Sequence, residues 1–276
     1  MAWDSTGEEG VYYWSNYFND TATANKSVNA IRGYMPTVAH WGWNGNARRY
    51  WDFLYAGSIV LHRIERQIHH YGSGLNSLVT LDNYRRLRDP QSADSFYELR
   101  IGYGGNQGPL SNIDAEGFGS MAFHSYPDTM KWDEYSGDYG PNFLGHVQGA
   151  ATYVLHHETF GWISFGGNVK VTNDTVAVEP RDAARRRIFV APISLFVELD
   201  AGEIESFSYD ALTKEVKVTI GSGPITVSGE LLITMKWEQT VKDAGGCEMA
   251  LQSPQLERRL DGWKVQAPHT LTFSVK

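Results

Sequence analysis

The chain has 276 residues and a formal net charge of −8, long enough for one large domain or two modest ones around a sizeable core. The acidic balance, with no basic tail, argues against nucleic acid as a partner, and no apolar run approaches the ~20 residues of a bilayer span, so no membrane partner is expected. Aromatic residues make up 13%, with nine Trp and fifteen Tyr beside 28 Gly, and rigid rings on glycine-bent backbone suit sugar stacking as well as core packing.

A single cysteine, Cys247, leaves no intrachain disulfide framework and no cysteine-based zinc site. Asn-x-Ser/Thr triplets stand at Asn19, Asn25 and Asn173, weak support for a secreted protein. Met1-Ala2 runs directly into Trp3 without a signal peptide, which predicts a processed or partial chain.

The first distinctive stretch is Asp4 to Trp14, DSTGEEGVYYW, where carboxylates crowd a flexible glycine and large aromatics follow at once. It reads as a loop at the rim of a cleft, with Glu8 or Glu9 as a proton donor. Helical spacing follows: Leu61, Ile64, Ile68 and Tyr71, then Phe96, Leu99 and Tyr103, then Phe143, Val147 and Ala150. The glycine- and proline-rich stretches at 33–36, 71–74, 102–109 and 136–141 read as breaks between helices, the rhythm of antiparallel hairpins with ornate loops.

Those loops carry three candidate groups. In HWGWNGNARRYWDF, Trp41 and Trp43 straddle a glycine, Asn46 is a plausible N-cap, and Arg48 could hold a carboxylate or sugar hydroxyls; a core Trp pair with solvated arginines fits equally. In IERQIHHYGSGLN, His70 and Tyr71 end one helix and Asn76 starts the next. That set suits proton abstraction beside a neutralised uronate, although a helix-ending His is also favoured by the dipole alone. The acidic loops offer Glu116 and Asp138, with Tyr139 alongside. Glycoside hydrolysis needs two carboxyls about 5–5.5 or 6.5–9.5 Å apart, and the sequence does not choose the pair.

Beyond Thr159 the period becomes two. Ile193, Leu195, Val197 and Leu199 alternate with Ser194, Phe196 and Glu198; Val216, Val218 and Ile220, then Leu231, Ile233 and Met235, then Leu271, Phe273 and Val275 do likewise. Short alternating strands with glycine turns predict an antiparallel sandwich. The expected class is α+β: a helical-hairpin domain over 1–158 and a β-sandwich over 159–276. RDAARRR (181–187) reads as a solvated face or as an ion-pair partner of the acidic loops. No HExxH, EF-hand, GxSxG or phosphate-loop pattern occurs, so neither a metal nor any other cofactor is expected.

The stretches DSTGEEGVYYW, GYMPTVAHWGWNGNARRYWDFLYAG, RIERQIHHYGSGLN, GPLSNIDAEGF, SGDYGPNFLG and RDAARRRIFVAPI resemble an uncharacterised family of large secreted bacterial and fungal proteins grouped with the six-hairpin glycosidases. The likeness runs to about Asp210. It implies a partial α/α toroid, with this chain matching the C-terminal portion of longer members that carry an upstream β-domain and more hairpins. Extracellular location and a carbohydrate substrate follow as expectations, with monomer and homo-oligomer both open. The leading expectation is a glycoside hydrolase with a carboxylate pair from Glu8, Glu9, Glu116 and Asp138, stacking on Trp41, Trp43 and Tyr139, and Arg48 as positioner. The alternatives are a polysaccharide lyase using His70, Tyr71, Asn76 and Arg48, and a glycan-binding module without turnover.

Overall fold

The computed structural model describes residues 7–35, 66–68, 70–113, 116, 123–125, 130–132, 139–182, 185–199, 202–221, 231–235, 241–243, 256–259, 262–265 and 269–275. The chain divides into two compact units, 1–87 with 92–149, and 88–91 with 150–276.

The first unit is mainly helical: α1 (Glu8–Tyr17), α2 (Thr21–Tyr34), α3 (His70–Arg86), α4 (Ala93–Gln107) and α5 (Tyr139–Gly149). α1 stops at Phe18, and after a two-residue turn Asp20 starts α2 by accepting the Thr23 N–H at 3.0 Å. Ser92 caps α4 in the same way, accepting from Ser95 N at 3.2 Å. α1 packs on α2, and α3 packs on both α4 and α5. A core of Tyr12, Ala24, Val28, Ile31, Met35, Val79 and Ile101 joins α1 to α4.

Two glycine-rich stretches read as interhelical breaks lie inside helices. Gly72 and Gly74 are in the first turns of α3, and Gly102, Gly104 and Gly105 are in α4, all buried. The reason is close packing: a Cβ on Gly145 of α5 would collide with the Gly74 backbone, and one on Gly102 would meet Thr80 Oγ1 and Leu81. These glycines set helix separation rather than turns. Ile68, expected on a helical stripe, instead lies in β1 (Arg66–Ile68), which pairs with β2 (Phe123–Ser125), itself paired with β3 (Met130–Trp132).

The second unit is built from β4 (Thr152–His157), β5 (Gly161–Phe165), β6 (Gly167–Thr172), β7 (Thr175–Pro180), β8 (Arg187–Val190), β9 (Leu195–Leu199), β10 (Glu203–Asp210), β11 (Glu215–Gly221), β12 (Leu231–Met235), β13 (Val241–Asp243), β14 (Leu256–Arg259), β15 (Gly262–Val265) and β16 (His269–Val275). One sheet has the order β13-β16-β11-β10-β7-β6 and another β12-β9-β8-β4-β5, with β14-β15 a separate pair. Val154, Ile188, Val190, Leu195 and Val197 from the five-stranded sheet share one core with Val176, Val178, Phe207, Tyr209, Val216 and Val218 from the six-stranded sheet. The two sheets therefore bury their facing sides against each other, as the alternation predicts.

Two details depart from the sequence reading. The strands begin at Thr152, before the expected boundary, because Thr152–Leu155 is buried on both faces and shows no alternation to read. One pair, β4 with β8, is parallel in an otherwise antiparallel set. The chain leaves the five-stranded sheet after β5, makes the β6–β7 hairpin in the other sheet, and returns as β8. Both crossings meet at Gly166 (φ 78°), whose carbonyl accepts from Thr152 Oγ1, Arg181 N and Asp182 N at 2.9, 2.8 and 3.0 Å.

Candidate functional site

The structured chemistry of the helical unit gathers where α1, α2, α3 and α4 meet. α1 directs Tyr12 inward, and its hydroxyl donates to Asp82 Oδ2 on α3 at 2.9 Å. Asp82 also receives Arg86 Nε at 2.7 Å and Arg85 Nη2 at 3.2 Å, so one carboxylate fastens α1 to the end of α3. Burial, reinforced by the Asp82 charge, pushes the Tyr12 phenol far above its ordinary 10.0.

One residue further along α3, Asn83 Nδ2 donates to Glu98 Oε1 at 2.6 Å. Arg32 Nη1 of α2 lies 3.9 Å from Glu98 Oε2, and the same guanidinium sits 5.3 Å over the Tyr97 ring. Burial raises the Glu98 carboxyl above its ordinary 4.5, against the opposing pull of Asn83 and Arg32. At 2% exposure Glu98 cannot touch a bulky substrate; it ties α3, α4 and α2 together. Nearby, Asn106 Nδ2 donates to the Gly145 and His146 carbonyls, and His146 Nδ1 lies 2.6 Å from the Asn106 carbonyl. Because a carbonyl only accepts, His146 Nδ1 carries the proton.

The predicted residues are distributed differently from the expectation. Glu8 and Glu9 form the first turn of α1 rather than a rim loop, where acids suit the helix dipole. At 100° per residue, Glu8 falls on the packed side of α1 with Tyr12 and Ser15, while Tyr13, Trp14 and Tyr17 point the other way. Glu8 is thus turned away from Trp14 and Tyr17, whereas Glu9 lies one turn before Tyr13 on the same side of the helix. His70 and Tyr71 begin α3 instead of ending a helix, and Asn76 lies within that helix, fully buried. The three residues expected around an interhelical loop therefore share one helix. Tyr139 begins α5, and Glu116 is exposed in a turn. Trp41, Trp43, Asn46, Arg48 and Asp138 lie outside the described residues.

Arg187 of the basic run pairs with Glu198 across β8 and β9 at 2.5 Å, and Arg185 lies 3.9 Å from Glu203. These two acidic partners lie on β9 and β10 of the same unit. Sequence reasoning missed Asp82 and Glu98. The signal for Asp82 is its i,i+4 spacing to Arg86 on a helix; for Glu98 it is a charged residue on the same face as Ser95 and Gly102, which pack inward.

Among the described residues no three of His, Cys, Asp and Glu gather to hold a metal ion, and no helix is long and apolar enough to cross a membrane. No curated protein and no solved structure matches the chain. One family profile does, over residues 1–274, essentially the full length, and the chain therefore belongs to the family of unknown function DUF5695.

Proposed function

We propose that the protein is a carbohydrate-active enzyme, a glycoside hydrolase that cleaves a polysaccharide or oligosaccharide with a carboxylate pair. The observation that carries this reading is the order of architecture: consecutive packed helices followed in the same chain by a two-sheet unit, the order implied by the resemblance to six-hairpin glycosidases. The pair is drawn from Glu8, Glu9, Glu116 and Asp138. One acid protonates the leaving oxygen while the other, ionised, attacks the sugar or activates water. Of these four, Glu9 is half-buried and Glu116 is exposed. Trp41, Trp43 and Tyr139 supply stacking surfaces, and Arg48 positions hydroxyls.

The test is a polysaccharide panel read by both reducing-end and ultraviolet assays. New reducing ends, lost in at least one of Glu8→Gln, Glu9→Gln, Glu116→Gln and Asp138→Asn, are expected. Full activity in all four variants overturns the carboxylate mechanism. Unsaturated, ultraviolet-absorbing product indicates elimination instead, and retention on a polysaccharide without product identifies a binding module.

A further inference from the structure

We propose that Asn19 carries an N-linked glycan whose first sugars pack on the exposed rings of α1. Two independent observations meet there, and neither depends on the hydrolase reading.

The first is an aromatic face turned toward water. Trp14, Tyr17 and Phe18 are 65%, 75% and 68% exposed. Trp14 and Phe18 lie nearly parallel, 15° apart with centroids at 5.8 Å, and Tyr17 stands edge-on to them at 83° and 87°. Leaving three large rings in water is unfavourable in proportion to their apolar area. An uncharged pyranose, with its flat C–H face, fits such rings.

The second is the position of the triplet Asn19-Asp20-Thr21, directly after Phe18. Asn19 has φ 59°, and its N–H donates to the Asn16 carbonyl at 3.1 Å. That bond folds the acceptor residue back against the helical turn on which the rings stand. Asn19, Asp20 and Thr21 are all exposed. The other two triplets differ. Asn25 lies within α2, where Ser27 is buried, and Asn173 stands at the tip of the β6–β7 hairpin, residues 167–180, which contains no aromatic residue.

In the transfer, the Asn19 Nδ2 amide loses one N–H and gains a bond to the anomeric carbon of an N-acetylhexosamine. The donor is a lipid-linked oligosaccharyl pyrophosphate; the lipid pyrophosphate departs, and the proton passes to the transferase base. The attached chain then lies within reach of the rings without the association cost that a free glycan would bear.

The experiment uses the full chain secreted from a eukaryotic host, with peptide mass mapping and thermal melts before and after amidase removal of N-glycans. Occupancy at Asn19 is expected, and deglycosylation should lower Tm by about 2–4 °C. Asn173→Gln should leave that difference intact, whereas Asn19→Gln or Trp14→Ala should abolish it. Because Trp14 is exposed, Trp14→Ala should fold normally, as the melt of its deglycosylated form checks. An unmodified Asn19 alongside an occupied Asn173 overturns the proposal, as does a Tm difference that survives Trp14→Ala. So does a deglycosylated protein whose rings bind free polysaccharide or a second copy while its stability is unchanged.

Discussion

Among single residues, Glu98 shows how burial rather than sequence neighbours decides a side chain's part. Its folded-state pKa is raised, so the native protein binds this proton more tightly than the unfolded chain. The stability it contributes is fully present below 4.5, the ordinary value, and is lost as pH rises through the folded value. Glu98→Gln keeps an oxygen for Asn83 and has no charge to desolvate, so its stability relative to the parent should grow as pH rises from below 4.5 toward neutrality. Urea melts across that range check the trend. Glu98→Ala removes the acceptor and leaves a void, and should cost about 2–3 kcal/mol below 4.5 and less as pH rises. In ADSFYELRIG the local hint is that Glu98 shares a helix face with Ser95 and Gly102, and nothing there names its partners on other helices. The Tyr12–Asp82 bond spans 70 positions, a separation that no local pattern reports.

At the scale of elements, period-two stretches were legible because one side of each strand is packed and the other is not: β9 and β11 alternate as expected. Helix boundaries were harder to read. A local rule takes Gly-Ser-Gly or Gly-Tyr-Gly-Gly as a turn, but here glycines let helix backbones touch, a requirement set by the opposing helix. The rule's failure is itself testable. Gly145→Ala should lower stability by about 1–3 kcal/mol, because the added methyl collides with the Gly74 backbone. Gly10→Ala in α1, with nothing within 4 Å of the new carbon, should be neutral or raise stability by about 0.5 kcal/mol. Chemical denaturation of the pair measures both. The rim loop expected at DSTGEEG is in part a helix: Glu8 and Glu9 open α1, a start that the neighbouring glycines hide from a local rule.

For the whole molecule, the two units have separate cores, one joining α1, α2, α3 and α4, the other shared by the two sheets. Scanning calorimetry is expected to depart from a single cooperative transition, with a calorimetric enthalpy exceeding the van't Hoff value; a ratio of one would mean that the cores melt together. The α+β order and the change of period were readable from sequence because they are averages over many residues. The candidate site was not, since its residues are brought together by helix packing.

The triple acceptor at Gly166 sets where this chain tolerates being severed. A protease target inserted at the exposed tip between Asn173 and Asp174 interrupts only a turn, and the nicked halves stay joined through the register of β6 with β7 and of β4 with β8. The same insertion after Gly166 separates the carbonyl from donors supplied by three other residues and lets both sheet crossings drift. Gel filtration after cleavage should find the first product intact and the second dissociated or aggregated, which makes the hairpin tip the natural position for a split-protein reporter.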